Sequence, residues 1–108
     1  MRVLKLHLAS LAAVRQAAET VKSWTEVPHI DVVVNNVGSM GTPFMLTADG
    51  FESQFGTNHL GHFLFTNLIM GKILASKPPR VLNITSDSHR LNLIRWGYYD
   101  FSVCLPSF

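Results

Sequence analysis

The chain has 108 residues, of which 47% are hydrophobic and only 15% are charged, and its formal net charge is +2 at pH 7. Soluble domains carry about 25% charged residues, and disordered chains combine low hydrophobicity with high net charge, so this composition excludes disorder. A single cysteine, Cys104, excludes a disulfide scaffold. The small excess of basic over acidic residues does not form a basic face, so we expect no nucleic-acid partner. So much apolar composition in so short a chain is typical of a piece of a larger core.

The first residues, Met1–Val14, contain two basic residues, an apolar stretch and then small residues, which is the order found in secretory signals. Lys5, His7 and Ser10 interrupt the apolar part, which disfavours a signal peptide. The longest apolar run covers residues 63–74 and is shorter than the roughly 20 residues that cross a bilayer. We therefore expect no transmembrane segment and take the cytoplasm as the default location.

The chain begins with a predicted strand over Arg2–Leu8, followed by a helix. Ser10 is a suitable N-cap for that helix, because its hydroxyl can accept a hydrogen bond from the first turn. The apolar residues that follow recur at spacings of three and four, which is typical of one buried helix face. Pro28 ends this helix near Trp24. The apolar face consists of Leu11, Val14, Ala18 and Val21.

A β-branched run, Ile30–Val34, predicts a second strand that is covered on both faces, as in a parallel sheet. A loop over Ser39–Asp49 follows it, and a third strand is predicted over Arg80–Ser86. Between them, residues 50–76 form one long predicted helix that is apolar on several sides and is therefore expected to be buried on several sides. A glycine inside a helix costs roughly 1 kcal/mol relative to alanine, so we expect close packing at each of its three interior glycines. These are Gly56, Gly61 and Gly71.

The alternation of strand, helix, strand, helix and strand predicts an α/β fold with a parallel sheet. Residues 1–90 form the predicted domain part, and residues 91–108 form an irregular tail without clear periodicity. Ligands of open α/β sheets bind beyond the carboxyl ends of the strands. Polar residues stand at these ends, so the sequence predicts a ligand cleft there, with ordinary turn chemistry as the alternative. They are His7, Asn35, Asn36, Thr85 and Ser86.

Three strings in register are more specific than the strand ends alone: IDVVVNNVG, DGFESQFGTNHLGHFLFTNL and RVLNITSDSHR. Together they resemble the short-chain dehydrogenase/reductases, and within them the branch that includes retinol dehydrogenases and the WW-domain oxidoreductase. The resemblance covers about residues 2–102. It implies part of a doubly wound Rossmann fold. It also implies hydride transfer between NAD or NADP and a lipophilic alcohol or carbonyl, such as a retinoid, steroid or aldehyde.

The resemblance carries two catalytic roles and a set of cofactor contacts onto this chain. Asn58, in TNHLG, matches the family's asparagine that kinks its helix and holds a water in the proton relay. Ser86 matches the serine that hydrogen-bonds the substrate oxygen and stabilises charge developing there. His7 stands where the family has an aspartate against the adenine ring, and Val37 replaces the usual alanine. The implied cofactor contacts are His7, Leu8, Asn35, Asn36, Val37 and Gly38.

Two family motifs have no counterpart in these residues: the glycine-rich turn that cradles the pyrophosphate, and the YxxxK motif that supplies the proton-transferring tyrosine and its lysine. Tyr99 follows Ser86 by 13 residues, but no lysine stands four residues after it, and LIRWGYYDFS resembles an insertion of this branch. We therefore expect a fragment, truncated at both ends and inactive alone. The alternatives are an interaction or regulatory fragment that pairs with a full-length relative through helix 50–76, or an unstable truncated product.

Two further clusters have chemical potential but weaker patterns. His59 and His62 lie three residues apart on one predicted helix, but no third ligand is evident, so no metal site is predicted. The contiguous residues Asp87, Ser88 and His89 contain the residue types of a hydrolase triad. Neighbours in sequence do not form the required nucleophile, base and orienting geometry, so a triad is not expected either.

Overall fold

The computed structural model of the protein describes residues 1–90. Its first helix, α1 (Leu11–Ser23), is capped at its start by two side-chain oxygens. The Ser10 hydroxyl accepts from the Ala13 amide at 3.3 Å, and the Asp49 carboxylate accepts from the Leu11 amide at 2.8 Å. The helix ends one residue before Trp24, as expected. Its buried face consists of Val14, Ala17, Ala18 and Val21.

The fold contains a parallel sheet with helices packed against it, which confirms the predicted α/β class. Strand β1 (Val32–Asn35) pairs with β2 (Arg80–Asn83), with Val32 opposite Arg80 and Asn35 opposite Asn83. The Ile84 amide continues the pairing by donating to the Asn35 carbonyl at 3.0 Å. Both strands are shorter than the sequence predicts: β1 begins two residues later but extends one residue further, to Asn35, and β2 ends at Asn83 instead of Ser86.

The sheet is covered on one face only within residues 1–90, so the expectation of burial on both faces is wrong for this part of the chain. Val33 packs against the apolar core, whereas Val32 and Val34 on either side of it are 50% and 55% exposed. Leu82 of β2 is 42% exposed. Successive side chains of a strand point to opposite faces, so the helices cover alternate residues of β1, whereas all four residues of β2 are exposed.

The predicted strand over Arg2–Leu8 is wrong, because these residues form no strand. In the described ranges the sheet has only the two strands β1 and β2, and a strand requires a neighbour for its backbone hydrogen bonds. The segment is attached by side chains instead: Leu8 is buried, Leu4 packs against the core, and the Arg2 guanidinium lies 5.2 Å from the centre of the Trp24 ring.

The long predicted helix is present from Ser53 to Leu74, but as consecutive stretches rather than one regular helix. They are α2 (Ser53–Phe55), a π-helical turn (Gly56–Leu60), α3 (Gly61–Leu68) and α4 (Met70–Leu74). Glu52 is buried and begins the series, since its carboxylate accepts from the amides of Gln54 and Phe55. None of the helices in residues 1–90 combines the length and apolar character needed to cross a bilayer.

The core lies where α1 packs against α3 and α4, and its buried residues are Ala18, Val21, Ile69 and Ile73. Two of the three helix glycines allow close approach, as expected. A Cβ on Gly56 would lie 2.6 Å from the Thr47 methyl group, and a Cβ on Gly61 would lie 2.5 Å from the Leu8 carbonyl oxygen. A Cβ on Gly71 would meet nothing within 4 Å, so close packing does not account for that glycine.

Candidate functional site

An open cleft of about 770 Å³ lies at the carboxyl ends of β1 and β2, beside the helical stretches that begin at Ser53. Small-molecule sites in proteins have volumes of about 300–1,000 Å³, so the cleft has the size of a ligand site. It brings together six of the eight candidate site residues identified from the sequence. These are Asn35, Asn36, Val37, Gly38, Asn58 and Ser86.

Asn35, the last residue of β1, is buried, with 8% of its surface exposed. Its side-chain amide donates to the Asn83 side-chain oxygen at 2.8 Å and to the Thr66 hydroxyl at 3.1 Å. These bonds join both strands and α3 at the edge of the cleft. Asn36 is exposed on the cleft wall, so adjacent asparagines occupy different environments.

Asn58 lies in the π-helical turn and holds the loop after β1 through both atoms of its amide. Its oxygen accepts from the Ser39 amide at 2.8 Å, and its nitrogen donates to the Ser39 carbonyl at 2.7 Å. The turn is widened because the Gly61 amide donates to the carbonyl of Gly56, five residues earlier. Single π turns inside helices occur frequently at functional sites. Here the turn presents Asn58 to the loop.

His62, one helical turn after Asn58, contacts the same loop. Its Nε2 lies 2.7 Å from the Val37 carbonyl oxygen, which can only accept a hydrogen bond, so Nε2 is the donor. Sequence reasoning considered His62 only as a metal ligand and missed this contact. Thr66 was also missed. The signal for both was the four-residue spacing of polar groups, Asn58, His62 and Thr66, along an otherwise apolar helix.

Ser86 follows β2 and lies on the cleft wall together with Thr85. Both are exposed, and they face the cleft that Asn36 and Asn58 also line. A hydroxyl in this position can donate to a carbonyl oxygen or accept from an alcohol. The arrangement therefore offers neutral amide and hydroxyl groups to a ligand rather than a cluster of charges.

The structure does not bring the two remaining candidate residues into the cleft. His7 is exposed and Leu8 is buried under Gly61, and neither lines the cleft. The N-terminus of α1, the helix that follows them, is occupied by the oxygens of Ser10 and Asp49. A carboxylate at this position disfavours an anionic ligand, so α1 does not offer a pyrophosphate site.

The two histidines considered above as metal ligands, His59 and His62, make other contacts in residues 1–90. No group of three or more potential metal ligands gathers in this part of the chain. The His59 ring instead stacks between Phe55 and Phe63, with ring centres 5.3 and 6.3 Å away. The Asp87 carboxylate lies 3.6 Å from the Arg90 guanidinium. Tyr99, Cys104 and the predicted irregular tail lie outside the described residues.

Residues 1–102 of the sequence match a family model described as short chain dehydrogenase. The chain belongs to the short-chain dehydrogenase family. The fold agrees, because a crystal structure of an uncharacterized protein from Mycobacterium paratuberculosis superimposes with a TM-score of 0.74 at 38% identity. That superposition covers 94% of this chain and 34% of the solved one.

Curated relatives of this short-chain dehydrogenase include retinol dehydrogenases. Human retinol dehydrogenase 13 is 49% identical over 84 residues, which make up 78% of this chain and 25% of the relative. Human retinol dehydrogenase 14 is 46% identical over 88 residues, or 82% of this chain and 26% of the relative. The chain thus spans about a quarter of the length of these relatives, and the retinol-dehydrogenase-like resemblance read from its motifs is confirmed.

Proposed function

We propose that the chain forms part of the site of an NAD(P)-dependent oxidoreductase that interconverts an alcohol and a carbonyl group, with lipophilic alcohols of the retinoid class as substrates. The observation that carries the proposal is that Asn36, Asn58 and Ser86 line one and the same cleft. The substrate class is supported by the names of the retinol dehydrogenases that the chain resembles.

The residues present suit the ribose and amide parts of a dinucleotide, which carry hydroxyl and carboxamide groups but no charge. Asn36 and Thr85 offer neutral donors and acceptors, and Gly38 leaves room for the Asn58 amide, whose oxygen lies 3.4 Å from where a Cβ on Gly38 would be. When bound, the nicotinamide ring supplies or accepts the hydride. Among residues 1–90, α1 provides no matching site for the pyrophosphate, so we expect the affinity of this chain for the dinucleotide to be low.

In this proposal Ser86 donates its hydroxyl hydrogen to the substrate oxygen and stabilises negative charge that develops there. Asn58 contributes by fixing the Ser39 backbone, because both of its amide atoms are used in that contact. The printed sequence contains no YxxxK motif to move the proton. We therefore expect the 108-residue chain to bind dinucleotide without catalysing turnover.

A fluorescence titration of the chain with NADH, and separately with NADPH, tests the proposal. We expect saturable binding in the millimolar range or tighter for at least one of the two, and no oxidation of that dinucleotide with retinaldehyde. Absence of binding at millimolar dinucleotide would overturn the cofactor assignment. Turnover with retinaldehyde would overturn the proposed inactivity.

Matched variants locate the binding. Asn36→Ala removes an exposed amide from the cleft, and Ser86→Ala removes a hydroxyl, whereas Ser23→Ala removes a hydroxyl at the end of α1, outside the cleft. One hydrogen bond contributes about 0.5–1.5 kcal/mol, so Asn36→Ala should weaken dinucleotide binding about threefold to tenfold. Ser86→Ala should weaken binding of retinaldehyde to the loaded chain by a similar factor, and Ser23→Ala should change neither.

The second candidate function is association with a full-length relative through the apolar helix, residues 50–76. Phe63 and Leu74 favour it, because these large side chains on the helix are 62% and 69% exposed in the described structure. Sedimentation of the chain with a full-length retinol dehydrogenase tests it. Co-sedimentation that is lost in a Phe63→Ser, Leu74→Ser double variant would support association, and separate sedimentation would exclude it.

A further inference from the structure

Three side chains on the cleft side of the helix form a ladder with the chain that leaves β1. Asn58 bonds the Ser39 backbone, His62 bonds the Val37 carbonyl, and the Thr66 hydroxyl accepts from the side-chain amide of Asn35. The residue number of the partner decreases by two each time the residue number on the helix increases by four. The loop and the helix therefore run in opposite directions along one line of contacts.

The spacing of this ladder follows from backbone geometry. Four helical residues advance about 6 Å along the axis, and two extended residues advance about 6.6 Å. An extended segment can therefore match every second residue to one helical turn without strain. Asn36 and Gly38 fall between the rungs and belong to the cleft wall.

His62 supplies the middle rung. It holds the backbone around Val37, where side-chain packing contributes little. The Val37 side chain is 62% exposed, so apolar burial contributes little to its position. The hydrogen bond from His62 Nε2 to the Val37 carbonyl fixes the backbone between Asn36 and Gly38. Loss of this bond would free the cleft wall at its centre and loosen the adjoining rung at Ser39, two residues away.

We propose that His62 is a positioning residue, which holds the Asn36–Gly38 backbone in the conformation that the ligand requires. This inference rests on the proposed function, because it assigns the cleft to a dinucleotide. His62 acts through Val37 and does not itself have to touch the ligand. A donor of similar reach should therefore replace it, and a side chain without a donor should not.

Amide hydrogen exchange of the chain without ligand tests the positioning directly. The Ser39 amide, bonded to Asn58 Oδ1, reports on the loop, and the Ala18 amide in the buried face of α1 reports on global unfolding. We expect His62→Ala to accelerate Ser39 exchange about tenfold, from the loss of one hydrogen bond, without an equal acceleration at Ala18. His62→Gln, which keeps an N–H donor, should restore protection to within about threefold. The control His29→Ala, at an exposed histidine beside Asp31, should change neither amide.

Equal acceleration at Ser39 and Ala18 would show that His62 only stabilises the fold, and it would overturn the proposal. Unchanged Ser39 exchange in His62→Ala would do the same.

The dinucleotide titration of the same variants tests the link to ligand binding. We expect the Kd of the better-bound dinucleotide to rise about tenfold in His62→Ala and to recover in His62→Gln. If Ser39 exchange accelerates but the Kd stays constant, the loop is held by His62 without consequence for the ligand, and the inference is wrong. If the wild-type chain binds no dinucleotide, the proposed function fails, while the exchange experiment still decides whether His62 positions the loop.

Discussion

Gly61 and Leu8 lie so close that a Cβ on Gly61 would be 2.5 Å from the Leu8 carbonyl oxygen and 3.0 Å from its Cβ. The contact brings the first segment of the chain against the start of α3, next to the π-helical turn that carries Asn58. Gly61 has ordinary right-handed helical angles, so the need for glycine is steric and not conformational. One missing methyl group thus allows the N-terminal segment to pack against the helix that lines the cleft.

Gly61→Ala should therefore destabilise the chain, although alanine is the better helix former. The added methyl group would clash with the backbone, which cannot rotate away as a side chain can. Overpacking of this kind typically costs about 1–3 kcal/mol, so we expect the unfolding free energy to fall by that amount. Gly71→Ala is the matched control, because nothing lies within 4 Å of the added methyl group. It should stabilise the chain by about 0.5–1 kcal/mol. Urea unfolding measures both free energies, and equal effects would show that the close approach to Leu8 is absent in solution.

The adjacent pair Asn35 and Asn36 should separate stability from binding. Asn35→Ala removes a buried amide and leaves the buried Thr66 hydroxyl without its donor, which should cost about 1–3 kcal/mol of unfolding free energy. Asn36→Ala changes an exposed residue and should alter stability by less than about 0.5 kcal/mol. Unfolding curves and dinucleotide titration of both variants check the assignment. A large loss of stability in Asn36→Ala would contradict it.

Asp49 should stabilise α1 from a distance of 38 residues along the chain, because its carboxylate accepts from the Leu11 amide. Asp49→Ala should lower the unfolding free energy by about 1 kcal/mol, the usual cost of losing a helix cap. Asp49→Asn keeps an acceptor oxygen and should lose only the charge–dipole part, about 0.3–1 kcal/mol. Thermal unfolding at low and high salt distinguishes the two, because salt screens only the charge. Equal losses in both variants at high salt, where the charge is screened, would mean that the side-chain oxygen is not the acceptor.

The sequence predicted the residues of the cleft better than the way they are held. Asn58 and Ser86 were found because whole strings resemble a family, and Asn35 was found because it ends a β-branched run. His62 and Thr66 were missed, because their role depends on a helix and a loop running antiparallel, which neither segment encodes alone. Gly61 and Gly71 could not be distinguished, since the same residue type serves a tight contact in one place and none in the other.

The segment Arg2–Leu8 illustrates a second limit. Its composition favours a strand, but a strand also needs a partner for its backbone groups, and in the described residues the segment pairs with neither strand of the sheet. The apolar residues Leu4 and Leu8 anchor the segment in the core, but the backbone pairing that a strand requires is absent from residues 2–8. The same dependence on neighbours explains why β1 looks fully buried in sequence and is half exposed in structure.

The exposed face of β1 leads to a final test, which compares Val34, 55% exposed, with Val14, fully buried in α1. Val14→Thr buries a hydroxyl in the core and should cost about 1–3 kcal/mol of unfolding free energy. Val34→Thr should change it by less than about 0.5 kcal/mol if the face is open to water. A cost for Val34→Thr as large as that for Val14→Thr, growing with protein concentration in urea unfolding, would show that another molecule covers this face in solution.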